Sequence, residues 1–159
     1  MDRRTIGWLL VAGQAALLGA LVLSPMGELW PTPSWLEWTG LVLGALGGLW
    51  AIAAGLRLGD RLTPTPVPRD GGHLRTNGPY AHVRHPIYTG VLLIVVGLTL
   101  RSGSGLVLAL AVVTVTFFHF KARFEEGLLA ERYPEYHSYA ARTPRFVPAP
   151  WRRLADDQR

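Results

Sequence analysis

The residues best suited to do chemistry lie in the stretch Gly78–Gly90, immediately before an apolar run. This stretch contains two phenols, two imidazoles and a guanidinium, which belong to Tyr80, Tyr88, His82, His85 and Arg84. Ionisable side chains are costly at the edge of a bilayer, so they usually mark a site there. We interpret the stretch as part of a polar site at the membrane surface, where a water-soluble cofactor can meet an oily substrate.

Two further polar groups follow in the second half of the chain. Glu125 and Glu126 lie just after a later apolar run, and a third group consists of Tyr136, Tyr139, Arg142 and Arg145. If the two apolar runs between them form a helical hairpin, the arginine and the glutamates face each other at one depth. A guanidinium and a carboxylate held there would pair, or would bind a zwitterionic ligand.

The same residues also have plainer interpretations. Arg84 can reach phosphate headgroups while its stem stays in apolar surroundings. The glutamates can lie on a solvated helix face, and Arg142 and Arg145 can bind anionic lipid headgroups. The sequence alone leaves open which of Glu125 and Glu126 matters.

Four apolar runs must position these groups. The chain has 159 residues, enough for a single domain spanning 1–159, with a mean hydropathy of +0.21 and 49% hydrophobic residues. Runs of about 20 apolar residues are long enough to cross a bilayer as helices. We therefore predict an all-α integral-membrane bundle of about four transmembrane helices, near 6–23, 38–56, 84–100 and 105–129, followed by a cytoplasmic C-terminal helical segment.

The distribution of basic residues predicts the orientation of this bundle. Ser24–Glu37 contains no Lys or Arg, and Arg101–Gly105 contains only Arg101, whereas the other connecting segments and the termini are basic. The positive-inside rule then places both termini in the cytoplasm, and we expect a protein of the bacterial inner membrane. This topology accounts for the net charge of +5, so we expect no nucleic-acid partner. The first run is long for a cleavable signal peptide and lacks a small-residue cleavage site.

Metal and nucleotide motifs are missing from the sequence. The chain has no cysteine, which excludes disulfides and thiolate chemistry. His82 and His85 are separated by three positions, but Pro86 follows directly and disfavours a continuous helical face. No HExxH, GxGxxG or P-loop pattern is present, so we predict no metal site.

Two motifs, taken together, resemble a known family. GPYAHVRHPIYTG followed by EEGLLAERYPEYHSYAARTPRFVP is similar to the isoprenylcysteine carboxyl methyltransferase family, most of all its small bacterial members, with the phospholipid N-methyltransferases as more distant relatives. The resemblance covers roughly residues 64–148. It implies an integral-membrane enzyme that uses S-adenosyl-L-methionine, binds it within about 73–148, and methylates a lipophilic small molecule or lipidated substrate that arrives from the bilayer.

The resemblance also implies roles for individual residues. Arg84, Glu125 and Glu126 are the expected catalytic residues. The expected cofactor-binding residues are His85, Pro86, Tyr88, Gly90, Tyr136, Tyr139, Arg142 and Pro144. A carboxylate acceptor would need only orientation, whereas an amine acceptor would need a proton acceptor such as a glutamate.

Two other functions stay open at this stage. A looser likeness to membrane sterol reductases suggests a reductase that uses a nicotinamide cofactor. A basic inner face also suits a non-enzymatic protein that binds anionic lipid. Cofactor binding separates these possibilities from a methyltransferase.

Overall fold

The computed structural model describes residues 2–59 and 73–148, and these residues are helical with no strand among them. Five α-helices follow one another: α1 Arg3–Leu23, α2 Ser34–Leu58, α3 Pro86–Ser102, α4 Gly105–Arg132 and α5 Tyr136–Arg142. A short 3₁₀ helix, Gly78–Ala81, precedes α3. The prediction of an all-α membrane bundle is confirmed.

Three of these helices are long and apolar enough to cross a membrane. They are α1, α2 and α4, with 21, 25 and 28 residues. The helix α3 is also apolar but has only 17 residues, fewer than the roughly 20 that a perpendicular span requires. Large apolar side chains such as Leu23, Leu49 and Leu56 are exposed on these helices, as expected of surfaces that face lipid.

Glycines bring the backbones of α2 and α3 into direct contact. A methyl group added at Gly97 would collide with the carbonyl oxygen of Gly40, and one added at Gly90 would collide with that of Gly47. The α2–α3 contact is by far the most extensive between any two described helices. Small residues permit such approaches, which replace the hydrophobic effect as the cause of association within lipid.

The spacing of the contact glycines on α2 differs from the sequence-based prediction. In the sequence, Gly40, Gly44 and Gly48 are four positions apart, which predicts that they share one packing face. Added methyl groups at Gly44 and Gly48 would meet open space, however. Gly40 and Gly47 are the buried pair. Seven residues are almost two full turns of an α-helix, whereas repeated steps of four rotate steadily away from the partner.

A tight turn joins α3 to α4 and forms the predicted hairpin. Gly103 adopts a left-handed conformation with φ of 58°, and Ser104 precedes α4. The loop after α1 covers this turn, because the Gly27 amide donates to the Ser102 carbonyl at 2.8 Å and the Leu29 amide to the Gly103 carbonyl at 2.7 Å. The turn at this end of the hairpin is therefore held by backbone hydrogen bonds.

At the other end of the hairpin, α3 begins at Pro86 rather than at residue 84. His85 precedes a proline and has φ −122° and ψ 65°, outside the helical region. The Arg84 amide donates to the Pro144 carbonyl at 2.9 Å, and the His85 amide donates to the Arg145 carbonyl at 3.1 Å. The segment after α5 is thus bound alongside the start of α3.

Candidate functional site

Four parts of the chain converge where α3 begins and α4 approaches its end. Residues 84–88 come from the entrance to α3, Glu125 and Glu126 from the last two turns of α4, and the remaining groups from α5 and the segment that follows it. The fold positions them because α4 continues beyond its apolar run until Tyr133 and Pro134 interrupt the helix. The polar clusters predicted to face each other do so.

Glu126 is the most heavily bonded side chain of this site. Its Oε1 accepts hydrogen bonds from Arg84 Nε at 3.1 Å and Arg145 Nε at 2.8 Å, and lies 3.1 Å from His85 Nε2. Its Oε2 accepts from Arg145 Nη2 at 2.6 Å. Only 13% of the side chain is exposed, so this carboxylate is both enclosed and neutralised by its partners.

Arg84 is held from two directions. Besides its bond to Glu126, it donates from Nη1 to the backbone carbonyl of Ala140 at 2.7 Å. Its side chain is only 14% exposed, which fits a group enclosed by protein and not one that extends to lipid headgroups. The guanidinium has N–H groups left over after these two bonds, so it can still bind a ligand.

Glu125 occupies a different environment from its neighbour. Its Oε2 accepts a hydrogen bond from the Tyr88 hydroxyl at 2.7 Å and lies 3.7 Å from His85 Nδ1. The Tyr88 ring stacks parallel to the His85 ring, with centroids 5.2 Å apart. The Glu125 side chain is 26% exposed and has no arginine partner among the described residues, so it has capacity for a cation that Glu126 lacks.

The two tyrosines of α5 are buried and differ in their hydrogen bonding. The Tyr139 hydroxyl donates to the Tyr80 carbonyl at 2.6 Å. The Tyr136 hydroxyl is buried, and no atom of the described residues bonds to it. Burial raises the pKa of both phenols, so they remain hydrogen-bond donors throughout the neutral range.

The structure brings most of the expected site residues together. Arg84, His85, Tyr88, Glu125, Glu126, Tyr136 and Tyr139 cluster as described, and Pro144 contributes its carbonyl. Three expected cofactor-binding residues have other surroundings: Pro86 is buried at the first turn of α3, Gly90 packs against α2, and Arg142 is exposed at the end of α5.

Arg145 belongs to this cluster but is not among the site residues predicted from the sequence. We grouped it with the arginines suited to lipid headgroups and did not select it for the site. Its bidentate bond to Glu126 spans 19 positions of sequence. The signal was weak because the residue lies in a short Pro-bounded segment whose path the sequence does not reveal.

Histidines and acids are not arranged as metal ligands in the parts of the chain that the structure describes. His119, the histidine on α4, lies 3.4 Å from Arg145 Nη1 through its Nδ1. His85 contacts Glu125 Oε2 through Nδ1 at 3.7 Å and Glu126 Oε1 through Nε2 at 3.1 Å.

Comparison with known proteins identifies relatives of this chain. A family model described as phospholipid methyltransferase matches residues 35–136, which is more than half of the chain and includes both glutamates. The chain is 36% identical over 110 residues to the cobalt-zinc-cadmium resistance protein CzcN of Cupriavidus metallidurans, covering 69% of this chain and 46% of that protein. It is 37% identical over 81 residues to the nickel-cobalt-cadmium resistance protein NccN of Alcaligenes xylosoxydans xylosoxydans, covering 50% and 38%. The chain thus spans less than half the length of these curated relatives.

Proposed function

Because the chain belongs to the phospholipid methyltransferase family, we propose that it is a membrane methyltransferase that uses S-adenosyl-L-methionine and acts on a lipophilic acceptor at the cytoplasmic face of the bilayer. The observation that best supports this is the meeting of Arg84, Arg145, Glu125 and Glu126 at one end of the α3–α4 hairpin. Such a set of paired charges suits a zwitterionic ligand next to lipid.

The residues present fit that cofactor. Its amino-acid end carries an ammonium and a carboxylate, which match the partly exposed Glu125 and the remaining N–H groups of Arg84. The buried Tyr136 hydroxyl has no partner among the described residues, so it can donate a hydrogen bond to the cofactor. When bound, the cofactor supplies an electrophilic methyl group on a sulfonium.

The two glutamates have separate roles in this proposal. Glu126 already accepts from two arginines and lies beside His85, so its role is to hold Arg84 and Arg145 in place. Glu125 is bonded to a single phenol and keeps lone pairs for a cation. Glu125 is therefore the carboxylate that contacts ligand, and Glu126 is a positioning residue.

In this reaction the protein mainly positions the methyl donor and the acceptor. An in-line displacement at carbon gains most from correct geometry and exclusion of water, which the buried cluster provides. A carboxylate acceptor would need an arginine to orient it and no base. An amine acceptor would pass its proton to a carboxylate, and Glu125 is the one with free acceptor capacity.

The metal resistance in the names of the curated relatives is a property of those proteins. Among residues 2–59 and 73–148, no three potential ligands are grouped to hold a metal ion. Our proposal does not transfer that property to this chain.

Titration with S-adenosyl-homocysteine in detergent tests the proposal. We expect saturable binding that Glu125→Gln and Arg84→Ala weaken, together with transfer of a labelled methyl group from S-adenosyl-L-methionine into a lipid extract. Reduced nicotinamide dinucleotide phosphate serves as the competing ligand. Binding of the nicotinamide cofactor in place of S-adenosyl-homocysteine would favour the reductase, and binding of neither would favour a lipid-binding protein.

A further inference from the structure

Lys121 is a buried cation that the proposed reaction does not use. It lies on α4 four positions before Glu125, which is about 6 Å further along the helix towards the apolar interior. Only 4% of the residue is exposed. An ionisable side chain enclosed within a membrane helix bundle is costly, so it usually serves a function.

The contacts of Lys121 leave its charge without a paired anion. Its Nζ donates to the side-chain carbonyl of Gln14 on α1 and lies 5.2 Å from the centre of the Tyr88 ring and 6.0 Å from that of Phe118. Within the described residues no carboxylate is in salt-bridge distance of Nζ. Glu125, the acid one turn away, is bonded to Tyr88 instead. A lysine ammonium has three donors, and these contacts use one of them.

From this arrangement we infer that Lys121 and Gln14 form a binding site for the anionic headgroup, carboxylate or phosphate, of an amphiphile that enters from the bilayer. A buried ammonium with two unused donors gains most from an oxyanion, because charge-assisted bonds are strongest away from water. The inference deepens the proposed function, on which it rests, because an amphiphile held there would present its reactive end to Glu125.

Lys121 and Gln14 lie at the contact between α1 and α4. The contact between α1 and α4 is much smaller than that between α2 and α3. Gly13 on α1 faces the ring of Phe117 on α4. The next residue of α1, Gln14, bonds to Lys121, which lies one turn after Phe117 on α4. An amphiphile that reaches Lys121 between α1 and α4 would part these two helices and would leave the glycine-packed pair, α2 and α3, intact.

Binding of lipid pairs that differ only in headgroup charge tests the inference. The probes are oleate against oleyl alcohol, and dioleoyl phosphatidate against dioleoyl glycerol, each titrated into the purified protein in neutral detergent. We expect the wild type to bind at least one anionic probe about tenfold more tightly than its neutral partner, as a hydrogen bond to a charged group would give. Oleate and phosphatidate together distinguish a carboxylate from a phosphate ligand.

Variants connect the preference to the two residues. Lys121→Met should abolish the preference for the anionic probe, and Lys121→Arg should keep it. Gln14→Glu should also abolish the preference for the anionic probe, because the new carboxylate would pair with the Lys121 ammonium. If Lys121→Met does not fold, Gln14→Glu serves as the test of the inference. Arg123→Met, which removes an exposed cation two positions away, is the matched control and should leave the preference intact.

Two results would overturn the inference: a wild type that binds charged and neutral probes alike, or a folded Lys121→Met that keeps the wild-type preference. S-adenosyl-homocysteine is titrated in parallel on the same samples. Loss of the anion preference with intact S-adenosyl-homocysteine binding supports the lysine site. Absence of S-adenosyl-homocysteine binding in the wild type counts against the proposed reaction, and the lipid titrations then still report on Lys121 separately.

Discussion

Arg145 and Glu126 form a bidentate ion pair, with Nε to Oε1 at 2.8 Å and Nη2 to Oε2 at 2.6 Å. The pair joins the segment after α5 to α4, and Glu126 Oε1 also accepts from Arg84 at the entrance to α3. One carboxylate thus connects three separate parts of the chain. This relationship leads us to treat Glu126 as the residue that assembles the site and Glu125 as the residue that meets ligand.

The two glutamates should respond differently to the same substitution. Glu126→Gln removes the charge that faces two arginines, and we expect it to lower the free energy of unfolding by about 3 kcal/mol, as breaking a buried pair does. Glu125→Gln should leave unfolding almost unchanged and weaken S-adenosyl-homocysteine about tenfold. Thermal unfolding and calorimetric titration in detergent measure both, with Glu131→Gln in an exposed ion pair as the control. Equal losses of stability in both variants would contradict the division of roles.

Arg145→Lys should weaken the site although it conserves charge. A lysine ammonium cannot reproduce the two parallel bonds to Glu126, so we expect a lower unfolding midpoint and weaker S-adenosyl-homocysteine binding. Arg123→Lys, on an exposed position of α4, is the matched control and should behave as wild type. An Arg145→Lys variant with unchanged stability would mean that a point charge suffices at this position.

Gly90→Ala should separate α2 from α3. The added methyl would meet the Gly47 carbonyl oxygen and lie 2.8 Å from the Ala51 Cβ, and we expect a cost of about 1–3 kcal/mol, typical of overpacking. Gly48→Ala is the control, since its methyl meets open space and alanine favours helix by up to about 1 kcal/mol. Unfolding midpoints of the two variants should therefore move in opposite directions. A rise of both midpoints would show that helix propensity outweighs the close approach of the two backbones.

Removal of the hydroxyl should have opposite consequences at Tyr136 and Tyr139. Tyr139→Phe removes the donor to the Tyr80 carbonyl, which then loses this hydrogen bond. We expect the free energy of unfolding to fall by about 1–2 kcal/mol. Tyr136→Phe removes a buried donor that no described residue satisfies, so stability should hold or rise while S-adenosyl-homocysteine binding falls. Unfolding and titration of both variants provide the check. Unaltered ligand binding in Tyr136→Phe would remove this hydroxyl from the cofactor site.

Stability should decline in strongly alkaline solution. Burial raises the pKa of Tyr80, Tyr136 and Tyr139 in the folded protein, so these phenols keep their protons at pH values where the unfolded chain releases them. Their contribution is complete below the usual phenol pKa of about 10 and is lost as the pH rises above it. Phenolate absorbance of folded and denatured protein measures the effect. Titration of all tyrosines at the usual pH in the folded state would disprove it.

The sequence predicted the helices well because apolar runs and proline interruptions are local signals. The end of α4 before Tyr133 and Pro134 and the short helix α5 both follow from composition and proline chemistry. The start of α3 was predicted two residues too early, because the backbone before Pro86 is not helical.

The site was harder to predict where it depends on contacts between distant segments. That Arg84 and Glu126 face each other could be predicted, because α3 and α4 are consecutive helices that form a hairpin. The place of Arg145 depends on backbone hydrogen bonds between residues 84–85 and 144–145, which no local pattern announces. The glycine contacts of α2 likewise depend on how α3 packs against it: the sequence predicted a four-residue spacing, whereas the contact glycines Gly40 and Gly47 are seven positions apart.

The backbone pairing of Arg84 and His85 with Pro144 and Arg145 has a consequence for biogenesis. The ribosome releases the first two residues well before the last two, so for that interval both amides must be satisfied by solvent. A nascent chain already inserted into the bilayer through its first helices would lack this pairing until residues 144–145 emerged and docked. This backbone pairing therefore forms only after α3, α4 and α5 have all been synthesised.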